Sequence, residues 1–289
     1  MKNNASEDIF DQREIDFLCR IVFSFILIDL IFAAFSNTLI HQLQVPVLKY
    51  PYVDPTYLLM HILKIPQAVS SNLLVAWFWD VSLFLTCIGV ILFPAKKWLI
   101  VFFIFFYFVY YIIFNSYGTH HTHSLVAFLI TPFVFLFSKK SFSFAWQGLR
   151  YFLLFAYSAA FLWKFFRFSW LHVHQGILIL KRNLTAYLFY NPGTFLSKIY
   201  WWVLDHPLLI EVIFFGGFVM EGLFLIGFFT RKCDKVLFVL SLLLPVGFWF
   251  LSDAVFYEML VLSLTLLPSE TIKKFSGHRP NTSLYASWN

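Results

Sequence analysis

Ionisable side chains interrupt several long apolar stretches of this sequence, and they are its first candidates for chemistry. A charge inside hydrocarbon is expensive, so such a residue usually faces the interior of a helix bundle or a wet cavity. Each one therefore needs a structural or a functional role. They are Arg20, Asp29, Asp80, Lys164, Glu211, Glu221 and Glu258, together with His120, His121 and His123.

Lys164 is the residue best suited to catalysis, because a lysine between apolar walls can act as a base or nucleophile. Its alternative role is to reach the outer headgroups beside Arg167, which shares its helix face at i, i+3. We expect the Lys164 amine to line an outward-opening cavity. At ~1.5 Å rise per helical residue, Asp29 and Asp80 also lie in the outer half of the bundle. Either carboxylate could face the amine.

The histidines are expected at the outer end of a span, where His120 or His123 would shape the same pocket. Imidazoles are good ligands for zinc, iron and copper, so a metal site is an alternative. No carboxylate or cysteine partner is evident, and the three cysteines of the chain show no zinc-binding spacing. We therefore favour hydrogen-bonding or proton-relay histidines and predict no metal.

Arg20 and Glu221 are predicted to form a structural pair. Both fall in the inner half of the bundle by the same count of helical rise. Asp29 is not a suitable partner for Arg20, because nine residues at ~100° each place it on the opposite helix face. Glu211 and Glu258 lie close enough to the interface to reach water.

The composition indicates a chain dissolved in a bilayer. Of 289 residues, 60% are hydrophobic, 22% aromatic and 12% charged, whereas soluble domains are about a quarter charged. We predict an all-α polytopic bundle of about eight spanning helices, because apolar runs of this length can cross ~30 Å of hydrocarbon. The predicted spans are 15–36, 73–93, 99–115, 121–137, 151–167, 208–229, 236–252 and 255–267.

The distribution of Lys and Arg predicts the topology. Alternate assignment of the loops gathers most of them on one side, including Lys96 with Lys97 and Lys139 with Lys140. By the positive-inside rule both termini are cytoplasmic, and we expect a bacterial inner membrane. The net charge of +6 therefore reports orientation rather than nucleic-acid binding, which we exclude.

The two long outer loops, about 37–72 and 168–207, are rich in proline and aromatic residues respectively. Such loops are typical of interfacial helices and turns at the outer leaflet. We predict one membrane domain over 15–268, flanked by cytoplasmic segments 1–14 and 269–289.

The stretch from Arg150 to Ile179, RYFLLFAYSAAFLWKFFRFSWLHVHQGILI, resembles the central motif of the HTTM domain. This membrane domain is shared with vitamin K-dependent gamma-carboxylase. The motif has a tyrosine-containing helix with small residues, a lysine, a later tryptophan and a glycine. The matching positions here are Tyr157, Ala159, Ala160, Lys164, Trp170 and Gly176. Arg20, the stretch His120 to Phe128, and Glu221 with Arg231 are similar to further recurring positions.

The resemblance implies that Lys164 is a base in an active site opening to the outer side, with a quinone as a candidate cofactor. In the carboxylase the corresponding lysine acts on a vitamin K hydroquinone. This chain has Phe165 where the carboxylase has a second lysine, and it lacks the large lumenal domain. We therefore expect a reaction other than glutamate carboxylation.

Two functions follow. One is an enzyme acting on a quinone, lipid or peptide substrate, with Lys164 as base and Asp29, Asp80, His120 and His123 shaping the pocket. The other is a non-enzymatic membrane subunit, or a peptide export or maturation factor, that docks a protein partner through its aromatic outer loops. A proton-coupled transporter is a third alternative, although paired broken helices in two matching halves are not evident.

Overall fold

The computed structural model of the chain describes residues 10–43, 62–117, 126–172, 174–252 and 256–276. These residues are almost entirely helical, with 84% helix and no strands, which confirms the all-α prediction. The α-helices are α1 Gln12–Phe35, α2 Ile65–Ser70, α3 Leu73–Leu92, α4 Lys97–Tyr117, α5 Val126–Val134, α6 Lys139–Phe166, α7 Gln175–Tyr190, α8 Phe195–Leu204, α9 Pro207–Leu223, α10 Asp234–Ser252, α11 Tyr257–Ser263 and α12 Ser269–Phe275.

Five helical segments in the described part of the chain are long and apolar enough to cross a membrane. They are Gln12–Gln42, Leu73–Leu92, Lys97–Phe114, Lys139–Phe166 and Pro207–Phe228. Large apolar side chains on them face outward, such as Phe35, which is 82% exposed, and Leu74, which is 80% exposed. A water-soluble monomer rarely exposes so much apolar surface, so these helices indicate a bilayer environment.

The predicted count of about eight spans is not confirmed. Within predicted span 121–137 the described helix is α5, and span 255–267 corresponds to the shorter apolar helix Tyr257–Leu266. Span 236–252 corresponds to α10, which contains Pro245. The helix that corresponds to predicted span 151–167 begins earlier than expected, because α6 starts at Lys139.

The chain divides into two compact units. The first contains residues 1–121, 125–146 and 267–289, and the second contains 122–124 and 147–266. In the first unit α1 packs against α3, and α3 against α4. Its core includes the ring of Phe23, 4.9 Å from that of Phe103, and the thiol of Cys87, which donates to the Phe23 carbonyl at 3.4 Å.

Asp80 joins α3 to the 3₁₀ turn Ile40–Gln42 that follows α1. Its carboxylate is 2% exposed and accepts hydrogen bonds from the backbone N–H groups of Ile40 at 3.2 Å and His41 at 3.0 Å. The His41 ring nitrogen Nδ1 lies 2.8 Å from the same carboxylate, and the ring stacks on Trp77 at 3.8 Å. Asp80 therefore satisfies backbone donors that hydrocarbon could not.

One end of the first unit carries lysines. The Lys97 amine at the start of α4 donates to the carbonyls of Leu136 at 2.8 Å and Phe137 at 3.1 Å. A cavity of about 70 Å³ lies here, lined by residues from the start of α1, the turn before α4 and the turn before α6, among them Asp16 and Lys139. These three chain segments thus meet at one end of the unit.

The second unit has its core between α7, α8 and α9. Buried Leu180, Leu184, Tyr200 and Ile210 form part of this core. Glu211 on α9 accepts from the first backbone N–H groups of α7, those of Gly176 at 3.2 Å and Ile177 at 3.1 Å. An acidic group at a helix N-terminus satisfies unpaired donors and complements the helix dipole.

Arg150 links α6 to the start of α10. Its guanidinium makes two bonds to the Asp234 carboxylate, at 2.6 and 3.1 Å, and a third to the Gly227 carbonyl at 3.0 Å. Arg150 is 3% exposed. The predicted span 151–167 left Arg150 just outside a helix, whereas it is a buried structural cation within α6.

Replacing Asp80 with asparagine should destabilise the protein, because two backbone donors and His41 lose a charged acceptor. Hydrogen bonds to charged groups contribute about 1.5–3 kcal/mol each, so a loss of this order is expected. Thermal unfolding in detergent would measure it. Exposed Asp205 provides the control, since Asp205→Asn should leave the unfolding temperature unchanged. Equal temperatures for both variants would contradict this role of Asp80.

Replacing Gly176 with alanine should separate α7 from α9. The added Cβ would lie 3.0 Å from Ile210 Cγ2, 3.1 Å from Phe214 Cβ and 3.2 Å from the Ile210 carbonyl oxygen. Backbone and Cβ atoms cannot move aside cheaply, so the cost should be about 1–3 kcal/mol, as for overpacking. Gly193→Ala, whose Cβ would meet nothing within 4 Å, is the matched control in the same unfolding measurement. A Gly176→Ala variant as stable as this control would refute the close approach.

Candidate functional site

An ion pair between Lys164 and Glu221 is the centre of the candidate site, in the second unit. The Lys164 Nζ atom lies 2.5 Å from Glu221 Oε1. The lysine side chain is 27% exposed and the glutamate side chain only 1%. Both residues belong to helices long and apolar enough to span a bilayer. A short charge-assisted hydrogen bond in such surroundings is strong.

Helix geometry explains why these two side chains meet. Lys164 lies in the last turn of α6, where a cation complements the helix dipole. Glu221 lies near the C-terminal end of α9, where the helix dipole disfavours an anion. The stability of its negative charge therefore depends on Lys164. Side chains of an α-helix lean toward its N-terminus, so each long side chain extends back along its own helix.

Aromatic rings enclose the pair. The Lys164 amine lies 5.9 Å from the centre of the Phe214 ring and 5.7 Å from that of Phe248. These distances are at the outer limit of cation–π contact. Beside the pair, the ring of Phe161 lies 4.7 Å from that of Phe218, which is parallel to Trp170 within 12°. The pair therefore sits in an apolar environment that strengthens its attraction.

Several buried polar atoms of the second unit have no hydrogen-bond partner among the described residues. They are the Tyr157 hydroxyl, the Ser158 hydroxyl, the Trp170 indole nitrogen and Glu221 Oε2. Tyr157 lies seven residues before Lys164, which places both on one face of α6. Buried polar groups are normally satisfied. The unsatisfied oxygen of Glu221, together with unsatisfied groups on α6 and at Trp170, therefore distinguishes this region from an ordinary structural contact.

Two glycines make room for side chains of α6. A Cβ on Gly222 would lie 2.9 Å from the Phe161 ring. One on Gly227 would lie 2.5 Å from a methyl group of Leu154 and 2.9 Å from one of Leu237. The absence of side chains at these positions lets Phe161 and Leu154 pack directly against the backbone.

The predicted pair of Arg20 with Glu221 is corrected. Glu221 is bound to Lys164, whereas Arg20 belongs to the other unit and its side chain is exposed. The prediction compared depths from positions along each helix. It neglected the length of the side chains and their tilt toward the N-terminus of each helix. These let Lys164 and Glu221 meet although a residue count places them at different depths.

The carboxylates expected to face Lys164 lie in the first unit. Asp80 is committed to the backbone and His41, as described above. Asp29 is partly buried and lies within electrostatic range of Tyr110, whose hydroxyl bonds with Thr38. The carboxylate observed against Lys164 is that of Glu221. His120 and His123 lie outside the described residues, so their predicted part in the pocket remains a prediction.

Lys164 does not take the alternative role of reaching the outer headgroups. Its amine is bound to a buried carboxylate, whereas neighbouring Arg167 stacks on the exposed Trp163 ring at 3.9 Å. Arg167 is the residue that occupies an outward position. In the described part of the chain, no group of three or more His, Cys, Asp or Glu residues is arranged to hold a metal ion.

Sequence reasoning overlooked Ser158 and the pairing of Glu221 with Lys164. The i, i+7 spacing of Tyr157 and Lys164 was a usable signal, because it aligns both on one helix face. Nothing in the sequence indicates that Glu221, 57 residues beyond Lys164, is the partner of that lysine. In comparisons with known proteins, no family model matches the sequence, and no curated protein or solved structure matches it either.

Proposed function

We propose that this membrane protein is an enzyme whose Lys164–Glu221 pair takes a proton from an apolar substrate of the quinone, lipid or peptide class. The observation that carries the proposal is the free oxygen of the pair. Glu221 Oε2 is buried and lacks a partner among the described residues, while Oε1 holds the lysine. A buried carboxylate oxygen without a donor is an available proton acceptor.

The chemistry needs no charge to enter or leave the site. A substrate O–H that reaches Glu221 Oε2 transfers its proton to that oxygen, and the electron pair of the broken bond stays on the substrate. Glu221 becomes a neutral acid and the substrate an oxyanion. The Lys164 ammonium, 2.5 Å from the same carboxyl group, then neutralises the new anion. Exclusion of water strengthens that attraction.

The resemblance to the HTTM domain supports the same assignment and remains part of the proposal. Tyr157, Lys164 and Trp170 of the quoted motif contribute to this region of the second unit, and Gly176 packs nearby against α9. Glu221 holds the Lys164 amine, so we assign the base to the pair rather than to Lys164 alone. A hydroquinone, with two acidic O–H groups on an apolar ring, is a suitable substrate for such a base.

A lipophilic nitrophenol tests the proposal directly, because its ionised form absorbs visible light. Purified protein in nanodiscs should bind an alkyl-nitrophenol and ionise it, which gives a phenolate band. Lys164→Met and Glu221→Gln should each lose most of that band, since one removes the cation that neutralises the phenolate and the other removes the proton acceptor. The exposed Lys181→Gln variant should retain it. A phenolate band of equal size in wild type and Glu221→Gln would refute the base.

Folding must be separated from chemistry in these variants. Removing one member of a buried pair can cost about 3–5 kcal/mol, because the other charge is left unpaired. Lys164 is partly exposed, so the lower part of that range applies to its removal. The double variant Lys164→Met/Glu221→Gln should regain much of the lost stability and still give no phenolate band.

We also propose that both termini face the cytoplasm of a bacterial inner membrane. Lys96 and Lys97 lie at the start of α4, and Lys139 and Lys140 lie at the start of α6. The cavity described above is lined by residues from both places and from the start of α1. Lysines gathered at one end of a membrane unit favour a cytoplasmic position for that end.

Reporter fusions test this orientation. Alkaline phosphatase joined after Asn289 should be inactive and green fluorescent protein at the same position should be fluorescent, because the first folds only outside the cytoplasm and the second only inside. The opposite pattern would reverse the orientation. Replacing Lys96, Lys97, Lys139 and Lys140 together with glutamine should weaken the preference, whereas replacing Lys181 should not.

A further inference from the structure

The polar atoms around the Lys164–Glu221 pair differ in what they can bind. The Trp170 indole nitrogen is only a donor, and Glu221 Oε2, as part of a carboxylate, is only an acceptor. The hydroxyls of Tyr157 and Ser158 can donate or accept. A complementary ligand must therefore offer at least one donor and one acceptor.

Each of these groups is costly to the protein as it stands. Tyr157 is 5% exposed, Ser158 4% and Glu221 1%. A buried polar group without a partner loses its hydration and gains nothing in return. Phenylalanine or alanine would avoid that cost for the two hydroxyls. Their presence indicates a partner that is not part of the described chain.

Tyr157 and Trp170 each pack against aromatic rings of the second unit, and Ser158 shares a helix face with two further rings. The ring of Tyr157 lies 4.4 Å from that of Phe224. Ser158 lies on the α6 face that also carries Phe161 and Phe165, at i+3 and i+7. Phe165 in turn lies 6.2 Å from Trp170, with the two rings nearly parallel. Phe165 is also 42% exposed, so this side of the aromatic packing can be reached from the bilayer.

Charge limits the ligand further. Lys164 is already neutralised by Glu221, and the unused oxygen of the pair is anionic. A phosphate group at this position would face a carboxylate, whereas an uncharged hydroxyl would donate to it. Like charges at short distance in an apolar environment repel strongly.

We infer that Tyr157, Ser158, Trp170 and Glu221 form a binding site for an uncharged amphiphile that carries a hydroxyl and a carbonyl group, as monoacylglycerols do. The ligand hydroxyl donates to Glu221 Oε2 and its carbonyl accepts from the Trp170 indole. The Tyr157 and Ser158 hydroxyls complete the set. The inference rests on the proposed site but not on proton transfer.

Thermal unfolding in phosphatidylcholine nanodiscs provides the test, with monoolein or phosphatidylglycerol added at equal mole fraction. Without added lipid, Tyr157→Phe should unfold about 2–4 °C above wild type, because it removes an unsatisfied hydroxyl. Tyr110→Phe is the matched control. Its hydroxyl bonds with Thr38, so its unfolding temperature should fall.

Monoolein should raise the unfolding temperature of the wild type, and phosphatidylglycerol should not. The rise should be lost in Tyr157→Phe and in Ser158→Ala, since ligand binding stabilises only a protein that retains the site. A Tyr157→Phe variant less stable than wild type would show that the hydroxyl has a structural partner and would overturn the inference. An equal monoolein effect in wild type and both variants, no effect at all, or a larger effect of phosphatidylglycerol would overturn the ligand class.

This result is independent of the nitrophenol test. If the unfolding pattern holds while the phenolate band is absent, the binding site stands and the base does not. If the band appears and the unfolding pattern fails, proton transfer stands with a different ligand.

Discussion

Hydrocarbon offers no hydrogen bonds, so every buried polar group in this protein must find its partner in the chain or in a ligand. Three carboxylates show how that constraint shapes the fold. Asp80 accepts from the backbone of the turn after α1, and Glu211 accepts from the first N–H groups of α7. Each carboxylate thereby holds a chain segment against a neighbouring helix by hydrogen bonds to its backbone.

Glu221 differs from these two carboxylates in a way that separates structure from function. Asp80 uses both oxygens, and Glu211 uses one for each of two backbone donors. Glu221 uses only Oε1, for Lys164, and keeps Oε2 buried. Asp80 and Glu211 therefore have complete structural roles. Glu221 has capacity left for a further partner, which makes its region the strongest candidate for chemistry.

Composition was sufficient to predict an all-helical membrane protein, because a chain with 12% charged residues cannot cover a water-facing surface. The importance of Lys164 also followed from its apolar neighbours. Its partner did not, since a residue count along separate helices ignores how far long side chains extend. Arg150 was misplaced for a related reason. In a sequence, an arginine beside an apolar stretch predicts the end of a span. The partners that keep Arg150 inside a helix, Asp234 and the Gly227 carbonyl, are visible only in the structure.

The glycines at 222 and 227 connect helix spacing to the electrostatic pair. Phe161 and Leu154 occupy the space that side chains at these positions would need. A larger residue at position 222 would therefore press against Phe161, and one at position 227 would press against Leu154 and Leu237. Phe161 lies less than one helical turn from Lys164, and Gly222 is next to Glu221, so this close approach is adjacent to both charges. A substitution at Gly222 is thus expected to disturb the electrostatic pair as well as the packing of the two helices.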